Sequence, residues 1–358
     1  MKLTFLITLL AWTALHANAQ GVAYDEDKVD LEALYQEIDE AIDNSPTYVR
    51  ELEKKISASR DSFLAEKNPE KRIEKAEHMF RLYRSYKNDS AQHYIGLCID
   101  MSDALHRPDL AGRYRALMAY QCSSTSIKAE SVEQLDQIDK RALDKQGLVA
   151  YYHALMHLYG ELGSYTQRDG MQLYYFDQQN LYRDSVMMVA AEGSEEWLHL
   201  KMDILTATRN FQEALAVSNR WLRTVKPGTH QSAYAAFYRS EVFSHLRNHD
   251  LTCYWLGRSA LADIRCGVMD QAALLFLADH LADDGDINRA IRYLEFSQKC
   301  NATFLPYIRP YQADYALGII RKCRVADKQR TDMILYVSAA IIALLLLALI
   351  VVIVKRRK

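Results

Sequence analysis

Along most of this chain apolar residues recur every three or four positions, with polar residues filling the steps between them. In "NPEKRIEKAEHMFRLY" the apolar positions are Ile73, Ala76, Phe80 and Tyr83, one stripe on a helix of 3.6 residues per turn. Asn68 stands where it can cap that helix, with Pro69 at the first position and Glu70 near the positive end of the dipole. The same punctuation in "NSPTYVRELEKKI" predicts a helix start capped by Ser45, with Pro46 in its first turn. Runs that alternate apolar and polar, the mark of strands, are missing, and only six prolines and thirteen glycines interrupt the chain. The pattern predicts an all-α protein.

Both ends depart from it. Residues 334–354 carry no charge, and Tyr336 and Ser338 are their only polar side chains. In a helix 21 residues reach about 30 Å, the thickness of a bilayer's hydrocarbon core. Lys355, Arg356, Arg357 and Lys358 follow at once. At the other end Lys2 precedes an apolar run from Leu3 to Leu15, and Ala17-Asn18-Ala19 supplies a small-x-small cleavage site, the layout of a secretory signal peptide. Residues 1–19 are therefore expected to direct export, 20–333 to form the exported domain, 334–354 to span the membrane, and 355–358 to stay inside as a short basic tail. In a bacterium this is a single-pass inner-membrane protein with its N-terminal domain in the periplasm.

The exported helices repeat. In "ALLFLADHLADDGDINRAIRYLEFSQKC" Gly285 and Asp286 form a turn, and Ile287, Ala290, Ile291 and Leu294 are expected to pack along the second helix. Small Ala290 lets the paired helices approach closely. This segment resembles a tetratricopeptide repeat. "TRNFQEALAVSNRWL" places Phe211 and Ala214 in corresponding positions, and "RNHDLTCYWLGRSAL" is a degenerate third copy aligned on Leu251. "YKNDSAQHYIGLCIDMSDAL" and "GSYTQRDGMQLYYFDQQNL" follow the same rhythm upstream. The expected fold is a tetratricopeptide-like solenoid plus one transmembrane helix. Stacked repeats leave an extended concave surface, and Asp279 and Asp283 are expected to point toward it as candidate ligand contacts.

Composition removes several functions. A formal net charge of −2, with no basic cluster except the tail, leaves no footprint for nucleic acid. His153 and His157, and likewise His245 and His249, stand one turn apart, but Ala154 and Leu246 occupy the position where a zinc protease carries its glutamate. No Cys-x-x-Cys, nucleophile elbow or phosphate loop occurs. The expectation is no enzyme, no cofactor and no metal site, with structural histidines. The 23 tyrosines are expected mainly in the core and in seams between helices. Six widely spaced cysteines read as single buried thiols, with Cys300 and Cys323 the pair to test for a disulfide.

With these parts in place the chain resembles a Bacteroidota family, the membrane-spanning DUF6377-type proteins labelled transcriptional regulators. "LYQEIDEAIDNSPTYVRELEKKI" is similar to the family's opening helix, and "LYRSYKNDSAQHYIGLCI" to its Tyr-x-Ser-Tyr…Asp-Ser-Ala…Tyr segment. The order of parts, ending in a span and a basic cluster, is shared as well. In that family the basic cluster leads to a cytoplasmic coiled coil and a regulatory domain, which the resemblance implies are lacking here after Lys358. It implies a periplasmic sensor that binds an envelope peptide, protein or other ligand and signals across the membrane. An anchored periplasmic scaffold for protein assembly is the alternative. A second copy of the chain is a candidate partner.

Overall fold

The computed structural model describes Glu26 and residues 28–125, 127–305 and 310–356. The expected signal peptide, residues 1–19, and the last two residues of the basic tail lie outside the described residues. Among the described residues there are fourteen α-helices, one 3-10 turn and no strand. A long α1 (Leu31–Ala65) is followed by α2 (Pro69–Tyr83), α3 (Asn88–Ala104), α4 (Pro108–Ser124), α5 (Lys128–Asp136), α6 (Lys145–Tyr165) and α7 (Asp169–Val189). Then come α8 (Glu195–Ala207), α9 (Phe211–Thr224), α10 (His230–His245), α11 (His249–Cys266), α12 (Ala272–Asp283), α13 (Ile287–Phe304) and α14 (Pro310–Arg356). Consecutive helices pack as antiparallel pairs, α6 on α7, α8 on α9, α10 on α11 and α12 on α13, and α8 also touches α10 as neighbouring repeats do.

The repeat is visible in the backbone of the turns. His106, Arg209, Arg247 and Gly285 have φ of 55°, 60°, 56° and 82°, each just past the end of a helix. The next N–H bonds to the carbonyl five residues back in every case, as from Asn248 to Phe243 (3.0 Å) and from Asp286 to Leu281 (2.9 Å). This is the Schellman closure. Gly285 adopts the left-handed conformation freely, whereas the other three bear about 1 kcal/mol of strain each. Three of these turns fall at 209, 247 and 285, a constant 38 residues. The counterpart of Phe211 and Ile287 is therefore His249, not Leu251. A hydrophobic match misplaces the register because this repeat has a histidine where its sisters are apolar.

A second correction concerns α1. Asp30 caps it, accepting from the Ala33 N–H at 2.9 Å, and the helix runs without a break through Pro46. Proline inside a helix costs about 3 kcal/mol, so a start at Ser45 was the local expectation. Burial on both sides of Pro46 outweighs that cost. Leu34, Tyr35, Ile38 and Ala41 join the core of α11, α12 and α13, while Ile56 and Phe63 join that of α2 and α3. Gly257 of α11 makes the first contact close: a Cβ there would lie 2.7 Å from a Leu34 methyl. Helix α2 begins as expected, with the Asn68 side chain accepting from the Lys71 N–H at 3.0 Å.

The first and last repeats thus meet. The α2–α3 turn reaches across the array, where Ser85 Oγ lies 3.3 Å from His230 Nε2 and the Ser85 carbonyl accepts from the Met269 N–H at 2.8 Å. All six cysteines are free thiols, and Cys300 and Cys323 belong to different core clusters, so the tested pairing is not formed.

Candidate functional site: the inner face and the junction with the membrane helix

The helices α4, α6, α8 and α10 present their aromatic residues to one another across successive repeats. Tyr120 stacks on His153 at 5.0 Å, and His157 Nδ1 lies 2.9 Å from Ser123 Oγ. Next along the array His199 packs 4.1 Å from Tyr238 and 5.3 Å from Tyr234, with Trp221 behind it. Burial holds both imidazoles neutral, lowering His153 to about 4 and His199 to about 3. The acids nearby are shifted the other way. Surrounding protein shields these acids from part of the solvent although their side chains are exposed; with the Asp203 charge added it raises the Glu241 carboxyl to about 7, and it also raises Asp203 and Glu195. The Arg84 charge acts on His153, His230, Tyr234 and Glu195 from the α2–α3 turn. The surface is rich in rings and hydroxyls, suited to stacking and hydrogen bonding. Tyr120, Tyr234 and Tyr238 lie in the seams between neighbouring helices, as expected of the tyrosines.

Asp279 and Asp283 sit one turn apart on α12 and share a single cation. Lys322 Nζ of α14 donates to Asp279 Oδ1 and to Asp283 Oδ2, both at 2.7 Å. Burial opposes the ammonium charge, but the two carboxylates hold it above the ordinary lysine range. The acids expected to await a ligand are thus engaged with the helix that leads to the membrane. Around the bridge, Ala316, Ile319 and Cys323 are buried in the core, and Phe276 meets Tyr315 edge-on at 4.8 Å. From residue 324 the charged stretch is exposed except for half-buried Ala326, and the same helix runs on through 334–354. At 1.5 Å per residue, 324–333 makes a rod of about 15 Å between the docked segment and the apolar one. Among the described residues this is the one helix long and apolar enough to cross a membrane.

The other expected packing residues fall into two groups. Gly285 forms the turn, Ala290, Leu294 and Ala214 are buried, and Ile287 and Phe211 are half-buried against the core. Ile291 is a correction: it is 40 % exposed, because it falls on the outer side of α13, which no further helix covers. The acid-rich opening of α1 proves to be a docking strip. Arg289 of α13 pairs with Glu32 (2.7 Å), Asp39 (3.0 Å) and Asp286 (3.2 Å), and Arg292 with Asp43 (2.7 Å). Apart from Asp286, one turn away on the same helix, these partners are about 250 positions apart in the chain, so no local pattern joins them.

An all-helical array of paired repeats, closed by its first helix and continued by an apolar one, defines a repeat-type binding module. Such a module is typically a non-catalytic scaffold for protein contacts. The chain matches the SusR N-terminal TPR domain over residues 42–324 and belongs to that family. The match begins within α1 and ends just past Cys323, at the point where α14 leaves the core. No curated protein matches the chain.

Proposed function

We propose that this protein is the periplasmic sensing part of a single-span regulator of the inner membrane. An envelope peptide or protein engages the aromatic inner face of the repeats, and α14 carries the change through the membrane. The output is transcriptional, as in the DUF6377-type proteins the chain resembles, through a domain joined to or recruited by the cytoplasmic side. The observation that carries this reading is the continuity of α14, which is clamped to the last repeat by Lys322 between Asp279 and Asp283 and becomes the apolar span without a linker. In this reading the two acids act as a relay. A ligand must still bind two arrangements of the repeats unequally to shift anything.

The test places a cysteine at Leu345→Cys in the span and follows disulfide formation between two copies in native membranes. Breaking the clamp with Lys322→Ala should change the cross-linking rate at least severalfold, and a photo-crosslinker at Tyr234 should capture an envelope peptide or protein. A rate indifferent to both the lysine and a saturating captured partner would end the signalling reading. The scaffold reading gains from the closed array, in which Ser85 reaches across to His230 of α10 and to Met269 between α11 and α12. Under it, a stable assembly co-purifies while cross-linking stays constant.

A further inference from the structure

The α11–α12 junction differs in chemistry from the junction one repeat earlier. Subtracting the 38-residue repeat from His249, Cys253, His280 and Asp284 gives Phe211, Leu215, Val242 and Leu246. Phe211, Leu215 and Val242 pack in one apolar cluster between α9 and α10, the ordinary way to join repeats. At the later junction the same places bring two imidazoles, a thiol and a carboxylate together. The donor atoms of His249, Cys253 and His280 all lie within 4.8 Å of one another. His249 Nε2 is 3.6 Å from Cys253 Sγ and 2.8 Å from Asp284 Oδ2.

We propose that His249, Cys253 and His280 form a binding site for a zinc-class divalent cation, with Asp284 beside His249 for the fourth position. Two ligand pairs at i, i+4, His249/Cys253 and His280/Asp284, approach from neighbouring helices, so the cation would staple α11 to α12. Tetrahedral zinc with bonds of about 2.0–2.3 Å needs donors roughly 3.3–3.8 Å apart. The thiol and His249, at 3.6 Å, already meet that spacing, and the His280 donor lies within 4.8 Å of both. By spacing alone His249 pairs with His245, where no third ligand or glutamate accompanies them. The structure separates them: His245 stacks on Phe211 at 6.2 Å, and His249 turns to the next repeat.

A second observation points to a ligand. Tyr35 of α1 is 7 % exposed, and among the described residues its buried hydroxyl finds only the Cys253 thiol beside it. Its nearest polar influence is the Cys253 thiol, whose sulfur is itself buried beside it. A bound cation deprotonates a coordinating thiol outright. The resulting thiolate would accept a stronger hydrogen bond from Tyr35 as an outer-shell partner. The proton released from Cys253 passes to solvent and no electrons move. The staple lies next to the Asp279–Asp283–Lys322 clamp on the same helix, so the cation would stiffen the last repeat where the membrane helix leaves it.

The test is titration of the full chain, purified in detergent and stripped with chelator, with cobalt(II) as the spectroscopic stand-in and zinc as competitor. One equivalent of cobalt is expected to give tetrahedral visible bands and a thiolate-to-cobalt charge-transfer band, both removed by zinc. Cys253→Ser should abolish the charge-transfer band, and His249→Asn, at an exposed position, should weaken binding at least about tenfold. Cys300→Ser is expected to bind like the wild type. No charge-transfer band in the wild type, or a band that survives Cys253→Ser, would overturn the assignment, as would unchanged affinity in His249→Asn.

Discussion

Glu26 offers the sharpest test of how the first residues of the domain are held. Its carboxylate oxygen serves two donors at once, Arg239 Nε at 2.7 Å and Trp255 Nε1 at 2.8 Å. The Arg239 side chain is 5 % exposed, lies over the Trp255 ring at 4.9 Å and the Phe243 ring at 5.4 Å, and donates to the Leu215 carbonyl at 3.4 Å. Glu26→Ala would leave a buried guanidinium without its counter-charge, which typically costs 3–5 kcal/mol. Glu26 is 25 % exposed and the Trp255 face remains, so the expected loss is nearer ~2–3 kcal/mol. For a domain of this size that lowers Tm by about 3–5 °C, read by circular dichroism or by the denaturant midpoint. Replacing both charges, as in Glu26→Leu with Arg239→Met, removes the stranded cation. Most of the stability should return, leaving about 1 kcal/mol for the indole N–H. Two results would refute the reasoning: a Glu26→Ala protein within about 1 °C of wild type, or a double variant as unstable as the sum of the singles.

Two further outcomes follow from the core. His199 and His153 have folded values near 3 and 4, below the ordinary 6.5, so each adds stability that is fully present above pH 6.5 and is lost as pH falls toward those values. Urea midpoints measured between pH 7 and 5 should fall by up to about 1.4 kcal/mol per pH unit for each histidine, and His199→Phe should flatten the slope; an unchanged slope in that variant counts against a buried neutral ring. Ala290→Leu, at a fully buried contact between helices, should cost ~1–3 kcal/mol by overpacking, whereas Ile291→Ala on the exposed side should stay within ~1 kcal/mol; equal losses would mean the faces of α13 are wrongly assigned.

What the sequence alone determined was whatever depends on near neighbours. Periodicity at three and four residues marked the helices, Asn68 and Pro69 marked the start of α2, and the uncharged run at 334–354 marked the one helix among the described residues that is apolar enough for a membrane. These signals are local because each arises within a turn or two of chain. The tertiary structure decided everything that joins distant segments. It carried α1 through Pro46 by burying both of its halves, and it matched the acids of α1 to Arg289 and Arg292. It gave Lys322 to Asp279 and Asp283, and it moved His249 from His245 to Cys253 and His280. A repeat fold hides such pairings with particular effect. Each helix presents one face to its own partner and another to the next repeat, and only the 38-residue register of the turns, a backbone property, says which residues meet.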